Sequence, residues 1–282
     1  MEPFVLKTKE YFSLQPWAEE WPNLVVGFTT KNGGFSDQVF SSLNFGLHVG
    51  DQNDDVCKNK QKLAELLQFP TKFWVAAEQT HGKNIKEINV KHRGLGAYQY
   101  SDSIKDTDGF YTNQKGILLT LCYADCVPIY FIDKRTNTIG LVHAGWKGTV
   151  NGISVKMIDR WKQNGIHLDD ILVVIGPSIC EKCYVVDDFV INFVQKILED
   201  VEKKPYNQIK DGQYQLDLKR LNQLLLIHSG IPESNISLTE FCSSCNASDF
   251  FSHRRDQGKT GRMMSFIGWK EDSLINESNN KA

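Results

Sequence analysis

Leu119–Thr149 reads LTLCYADCVPIYFIDKRTNTIGLVHAGWKGT, and the rest of the chain is organised around it. Leu119–Cys122 forms the end of one strand. Val127–Asp133, nearly all apolar and rich in Val, Ile, Tyr and Phe, forms a second. Lys134–Asn137 is a polar turn, and Thr138–Val142 a third strand. With that turn, Asp133 faces Thr138, and pairing back along the hairpin sets Cys126 opposite Gly145. Side chains alternate faces along a strand, so Cys126 and His143 become diagonal neighbours on one face. A soft metal ion between a thiolate and an imidazole fits that spacing. The competing interpretation is a small apolar cysteine and a hydrogen-bonded core histidine. Pro128 could introduce a bulge and shift the register. Directly after the hairpin, Gly145–Thr149 opens a helix whose free backbone N–H groups attract an anion.

The chain has 282 residues, which suits one large domain or two small ones. Hydrophobic content of 41% and charged content of 23% are those of an ordinary globular protein. The formal net charge is −2 without a prominent Lys/Arg cluster, so nucleic acid is disfavoured as a partner. The opening MEPFVLKTKEYF lacks an apolar core behind a basic start, and no export signal is expected. No apolar run is long enough to span a bilayer. Seven cysteines in such a chain point to reduced thiols and a cytoplasmic location.

Leu24–Thr30, Phe73–Ala77, Ile85–Val90, Phe110–Tyr111 and Ile171–Ile175 have strand character. Asp54 caps a helix bearing Val56, Leu63 and Leu67. A helix after Thr149 carries Val150, Ile153, Met157 and Trp161 at helical spacing. Phe189–Val201 is amphipathic, Lys203–Gln213 is a polar connection, and Asp217 caps a Leu-rich helix ending at Gly230. Phe250–His253 and Met263–Trp269 flank an Arg-rich tip as a hairpin. Interleaved strands and helices without repeats indicate one α/β domain with mixed sheet pairing over residues 1–282. Residues 1–20 are expected to be an N-terminal extension and 271–282 a disordered tail.

Cys180/Cys183 and Cys242/Cys245 make two CxxC pairs. Together they could bind a structural zinc, but their separation exceeds that of compact zinc ribbons. The expectation is four free cysteines, dispensable for activity. No P-loop, GxGxxG after a strand, HExxH or GxSxG is present.

The stretches FTTKNGGFS, SSLNFGLHVGD, EQTHG, TDGF, CYADCVPI, VHAGWKGT, IGPSIC…CYVV and FFSHRRDQGKTGR resemble the YfiH-like family. That family is described as multicopper polyphenol oxidoreductases (laccases) and also as purine nucleoside phosphorylases with adenosine deaminase activity. The likeness runs roughly from Phe28 to Gly268. It implies αββα layers and a zinc bound by His81, Cys126 and His143, the same three residues being catalytic. It further implies a site loop containing Asn44 and a role for the Arg-bearing tail. Lys31 and Lys147 stand where the family often has Arg, and His253 where it often has Tyr. A Lys is a point charge and lacks the bidentate fork of Arg.

Three protein ligands leave a fourth zinc position open, as in catalytic sites. Lys147, the Gly148–Thr149 helix start and Arg254 or Arg255 are candidate phosphate ligands. Asp125 is either a catalytic proton-transfer or orienting residue, or a turn-stabilising carboxylate. The resulting expectation is a zinc-dependent purine nucleoside phosphorylase acting on adenosine, inosine and methylthioadenosine, with adenosine deaminase activity. Its partners would be nucleosides and phosphate, and the chain a monomer or small homo-oligomer.

The alternatives are a Cu2+-dependent polyphenol oxidase, a cysteine-type hydrolase editing peptidoglycan precursors, and a non-enzymatic metal-binding protein. Seven histidines without a His-x-His pair suit a multicopper cluster poorly, although copper could occupy the His/Cys/His set.

Overall fold

The structure, a computed structural model, describes residues 2–198 and 203–271. Most of the expected tail, 272–282, lies outside the described residues, as does the end of the expected Phe189–Val201 helix.

The hairpin forms as its sequence directs. Ile132 pairs with Ile139, Ile129 with Val142 and Pro128 with His143, and Pro128 introduces no bulge. Asp133 N–H donates to the Thr138 carbonyl and closes the turn. Val127–Asp133 and Ile139–Ala144 sit at the centre of a six-stranded sheet. Across it run Ile236–Leu238, Ile171–Ile175, Val127–Asp133, Ile139–Ala144, Gly109–Thr112 and Ile85–Glu87.

A second six-stranded sheet runs Phe4–Thr8, Tyr11–Leu14, Leu24–Thr29, Met263–Trp269, Leu118–Tyr123 and Trp74–Val75. The N-terminal residues expected as an extension are therefore an edge hairpin of this sheet followed by the helix Gln15–Glu20. Both sheets mix parallel and antiparallel pairs.

The two sheets stack face to face. Alternation along Val127–Asp133 sends Tyr130 and Ile132 into the intersheet core with Phe28, Leu119 and Tyr123. Val127, Ile129 and Phe131 point the other way, onto the helices Ile153–Gln163, Asp188–Ile197 and Leu218–His228. Burial on both faces is why this strand is apolar up to its last residue, Asp133. On the outer face of the second sheet, Met264 and Phe266 pack against Leu63, Ala64 and Leu67 of the helix Asn53–Leu67. The layers are thus α, β, β, α, in one domain.

Three local expectations change. Lys203–Gln213 contains the strand Tyr206–Lys210, which pairs with Gln213–Leu216, which in turn pairs with Val185–Asp187. Phe250–His253 is not a strand, because Met263–Trp269 pairs instead with Leu24–Thr29 and Leu118–Tyr123. The expected helix after Thr149 is split into Trp146–Val150 and Ile153–Gln163 by Gly152 at φ +77°. No helix among the described residues is long and apolar enough to cross a membrane.

Candidate active site

Cys126 lies one residue before the strand Val127–Asp133, and His143 near the end of the facing strand. Preceding Cys126, Asp125 turns the chain with φ +83°, a conformation that Asp tolerates better than most residues. Pro128 pairs with His143, so Cys126, two residues back on the same face, is its diagonal neighbour. The third member, His81, comes from the loop after Trp74–Val75. The donor atoms of His81, Cys126 and His143 all lie within 4.8 Å of one another.

Asp108 ties the three together. Gly109 pairs with Val142, which sets Asp108 beside His143, and the His143 N–H donates to the Asp108 carbonyl at 2.7 Å. The Asp108 carboxylate lies 2.8 Å from Nδ1 of His143, leaving Nε2 for Cys126. The same carboxylate accepts the backbone N–H groups of Thr80, His81 and Gly82. One fully buried acid therefore orients one histidine through its ring and the other through its backbone. Burial would raise the Asp108 carboxyl, but His143 and the Gly82 and Thr80 amides outweigh it and hold it below the usual range. A carboxylate on the far nitrogen of a ligating imidazole fixes its tautomer and ring orientation.

Burial likewise pushes the Cys126 thiol up, yet the adjoining His143 and His81 imidazoles overcome this and bring it down to about 6. Burial would lower His143, but Cys126 and Asp108 raise it to about 9. Each partner therefore favours the charged form of the other, thiolate for Cys126 and imidazolium for His143. A thiolate–imidazolium pair is a nucleophile and general acid in form, and a donor set that a cation completes by displacing the imidazolium proton. One thiolate and two imidazoles are borderline-soft donors that suit zinc and also copper.

These groups line a cavity of about 520 Å³, with Asp125, Lys147 and Arg254 also on its walls. Asp125 accepts from Ser243 Oγ at 2.6 Å and from the Arg254 N–H at 2.6 Å. With both oxygens engaged, it acts in this structure as an orienting group for the Arg254 backbone. The Arg254 guanidinium stacks over Tyr184, 4.9 Å from the ring centroid, and donates to the Val185 carbonyl. Lys147 belongs to a helix of only five residues, so the expected anion pocket at its start has little dipole behind it.

Two expected substrate residues lie elsewhere. Arg255 spends its donors on Asp256 and on the carbonyls of Ser243, Ser244 and Phe250. Asn44 is fully buried: its Oδ1 accepts from Gly46 N–H and Arg262 N–H, and its Nδ2 donates to Asp51. Asn44 positions the backbone of Arg262, and Arg262 is the residue that reaches the cavity.

His48, Gln79 and Tyr184, which carry no local site signal in the sequence, line the same cavity. Burial, with Arg262 and His143 nearby, pushes His48 down to about 4, so it is neutral at pH 7. The side chain of Gln79 grips both the N–H and the carbonyl of Cys122, at 2.8 Å each, and so fixes the His81 loop to the second sheet. Asp108 sat within TDGF, which read as a turn. Nothing local marks its carboxylate as the partner of His143.

A family model described as "Multi-copper polyphenol oxidoreductase laccase" matches residues 25–270. The chain belongs to that family. The purine nucleoside phosphorylase YlmD of Bacillus subtilis (strain 168) is 46% identical over 95% of this chain and 98% of its own. A Staphylococcus epidermidis protein named purine nucleoside phosphorylase is 36% identical over 95% of this chain and 99% of its own. The crystal structure of YlmD from Geobacillus stearothermophilus superposes with a TM-score of 0.93 at 44% identity, covering 96% of this chain and 100% of that one. The Bacillus licheniformis hypothetical protein YfiH gives 0.92 at 45% identity, with the same coverage.

Asp108→Asn should keep the side-chain shape while losing the charge that orients His143. Metal affinity at His81, Cys126 and His143 is expected to fall by about 10- to 100-fold. Competition against a chromophoric chelator measures this, and unchanged affinity would remove Asp108 from its assigned role.

Proposed function

We propose that this YfiH-like protein is a zinc-dependent purine nucleoside phosphorylase that also deaminates adenosine. Adenosine, inosine and methylthioadenosine are its substrates, with phosphate as the second reactant. One observation carries the reading: three metal-type donors and the cationic side chains Lys147, Arg254 and Arg262 share a single cavity. Relatives named purine nucleoside phosphorylase, aligned over nearly the whole chain, support the same assignment. Cytoplasmic action as a monomer or small homo-oligomer is part of the proposal.

His81, Cys126 and His143 would hold the zinc, which supplies Lewis-acid activation of water or of an electron-rich oxygen near neutral pH. Lys147, Arg254 and Arg262 provide positive charge for a phosphate dianion and for negative charge that develops as the base leaves. Asp125 keeps the Arg254 backbone in place through its 2.6 Å contact. His48, held neutral, offers a hydrogen-bond partner rather than a charge to a purine edge. Stacking of Arg254 on Tyr184 restricts the guanidinium before substrate arrives.

The family description favours an oxidase as the second reading, and the donor set would accept copper. Among the described residues, however, His81–Cys126–His143 is the one histidine-containing group of three or more metal-type side chains. A trinuclear copper cluster needs more.

Chromatography of adenosine incubated with zinc-loaded protein tests the proposal. Adenine and ribose 1-phosphate should form only when phosphate is present, and inosine should form without it. Arg254→Ala should slow the phosphate-dependent reaction more than deamination, because its contact is to the anion. Finding neither product, while copper-loaded protein oxidises phenols rapidly, would replace the phosphorylase by the oxidase.

A further inference from the structure

The four CxxC cysteines are free thiols, as expected, but the fold removes the objection that their sequence separation raises against a shared metal site. Cys180 and Cys242 are 62 residues apart in sequence, yet Sγ of Cys180, Cys183, Cys242 and Cys245 all lie within 4.8 Å of one another. The cause is sheet topology. Ile171–Ile175 pairs in parallel with Ile236–Leu238, so the segments leaving both strands run side by side. Their contact continues as a parallel bridge between Ser178 and Cys242, with the Ser243 N–H donating to the Ser178 carbonyl. Each segment then turns through its own CxxC.

We propose that these four cysteines bind a second metal ion, a structural zinc in a tetrahedral thiolate site. Zinc–sulfur bonds of about 2.3 Å in a tetrahedron require sulfurs about 3.8 Å apart. Cys180 and Cys245 are at 3.8 Å, and Cys183 and Cys245 at 3.4 Å. A disulfide needs about 2.05 Å, and all four are free thiols here. Backbone N–H groups of Cys180 and Cys245 donate to Cys242 Sγ at 3.2 and 3.4 Å, a pattern that stabilises thiolate charge.

Electrostatics point the same way. Burial raises the Cys242 thiol, but the amides of Cys245 and Cys180 overcome it and leave it below its usual value. Cys245 is raised by the sulfurs of Cys183 and Cys242 around it. Four crowded thiols cannot all ionise together without a cation, and a divalent soft ion removes that conflict. Cys242 is buried and Cys245 exposed, which gives the ion an entry path from solvent.

Four protein ligands leave no open position, so this ion would be structural and not catalytic. What it would hold is one wall of the active cavity. Ile179 and Tyr184 flank the first pair and line that cavity. Ser243, between the second pair, donates to Asp125, and its carbonyl accepts from Arg255. The clamp therefore supports Tyr184, Asp125 and Arg254 without touching substrate.

Cobalt titration of the reduced, metal-free Cys126→Ala variant tests this, since that change disables only the His/Cys/His set. Uptake should reach one equivalent, with the thiolate-to-cobalt charge-transfer bands and intense visible bands of a tetrahedral tetrathiolate. Adding Cys183→Ser and Cys245→Ser to that variant should abolish both the uptake and the bands. Should the combined variant fail to fold, the spectrum of the Cys126→Ala protein alone decides. No cobalt uptake by the folded Cys126→Ala protein would overturn the proposal. A thiol count on unreduced, denatured wild-type protein that falls short of seven by two or four would also overturn it, in favour of disulfides.

Discussion

Cys126→Ser is expected to lower bound zinc by one equivalent per chain. It should also reduce turnover of adenosine, with and without phosphate, by more than about 100-fold, beyond the effect typical of losing an outer hydrogen-bond partner of a metal ligand. The thiol stands at about 6 between two imidazoles, so sulfur is ready to ligate at neutral pH. A serine hydroxyl in its place stays protonated and offers a poor donor. Two histidines alone would hold the ion weakly. Both activities should fall together, because both are assigned to one site. Metal analysis after gel filtration, paired with the adenosine assay, reads the outcome. Unchanged zinc content, with all of it lost instead on replacing the four CxxC cysteines, would move the only metal away from Cys126.

Gly145→Ala should disable the same site without removing a ligand. Gly145 has φ −68° and ψ +169°, extended backbone that any residue can adopt, so the substitution carries no conformational strain of its own. Its effect is steric. An added Cβ would sit 2.9 Å from Cδ2 of His81 and 3.0 Å from Sγ of Cys126, at or below the closest approach real Cβ atoms make. The methyl group would force those two donors to shift, in a site where a fraction of an ångström decides coordination. Metal affinity should fall by at least about 10-fold, comparable with losing an orienting partner. Far-ultraviolet circular dichroism should be unchanged, because Gly145 follows the strand Ile139–Ala144 and is not within it. Wild-type affinity in this variant would show that the His81 loop yields easily, against the rigidity assigned to Asp108.

The sequence alone determined the central hairpin, its register and the meeting of Cys126 with His143. Each of these follows from local rules: a four-residue polar turn, a two-residue side-chain period and an apolar strand covered on both faces. Ile171–Ile175 and the helix capped by Asp217 were legible for the same reason. The αββα layering and the inclusion of His81 came from resemblance, because nothing in the local pattern says which loop folds over the hairpin end.

Only the tertiary structure decided the rest. Asp108 reads as a turn residue until Gly109–Thr112 is paired with Ile139–Ala144, and only then does its carboxylate face His143. Arg255 and Asn44 read as site residues until their hydrogen-bonding groups are traced to carbonyls, Asp256, Asp51 and backbone N–H groups. The CxxC pairs look too widely separated for one metal site until the parallel pairing of Ile171–Ile175 with Ile236–Leu238 brings their ends together. A strand's period and turn are written within a few residues, whereas the choice of neighbour across a sheet depends on packing the whole chain. Long-range pairing therefore sets which polar side chains are buried together, and with them the chemistry.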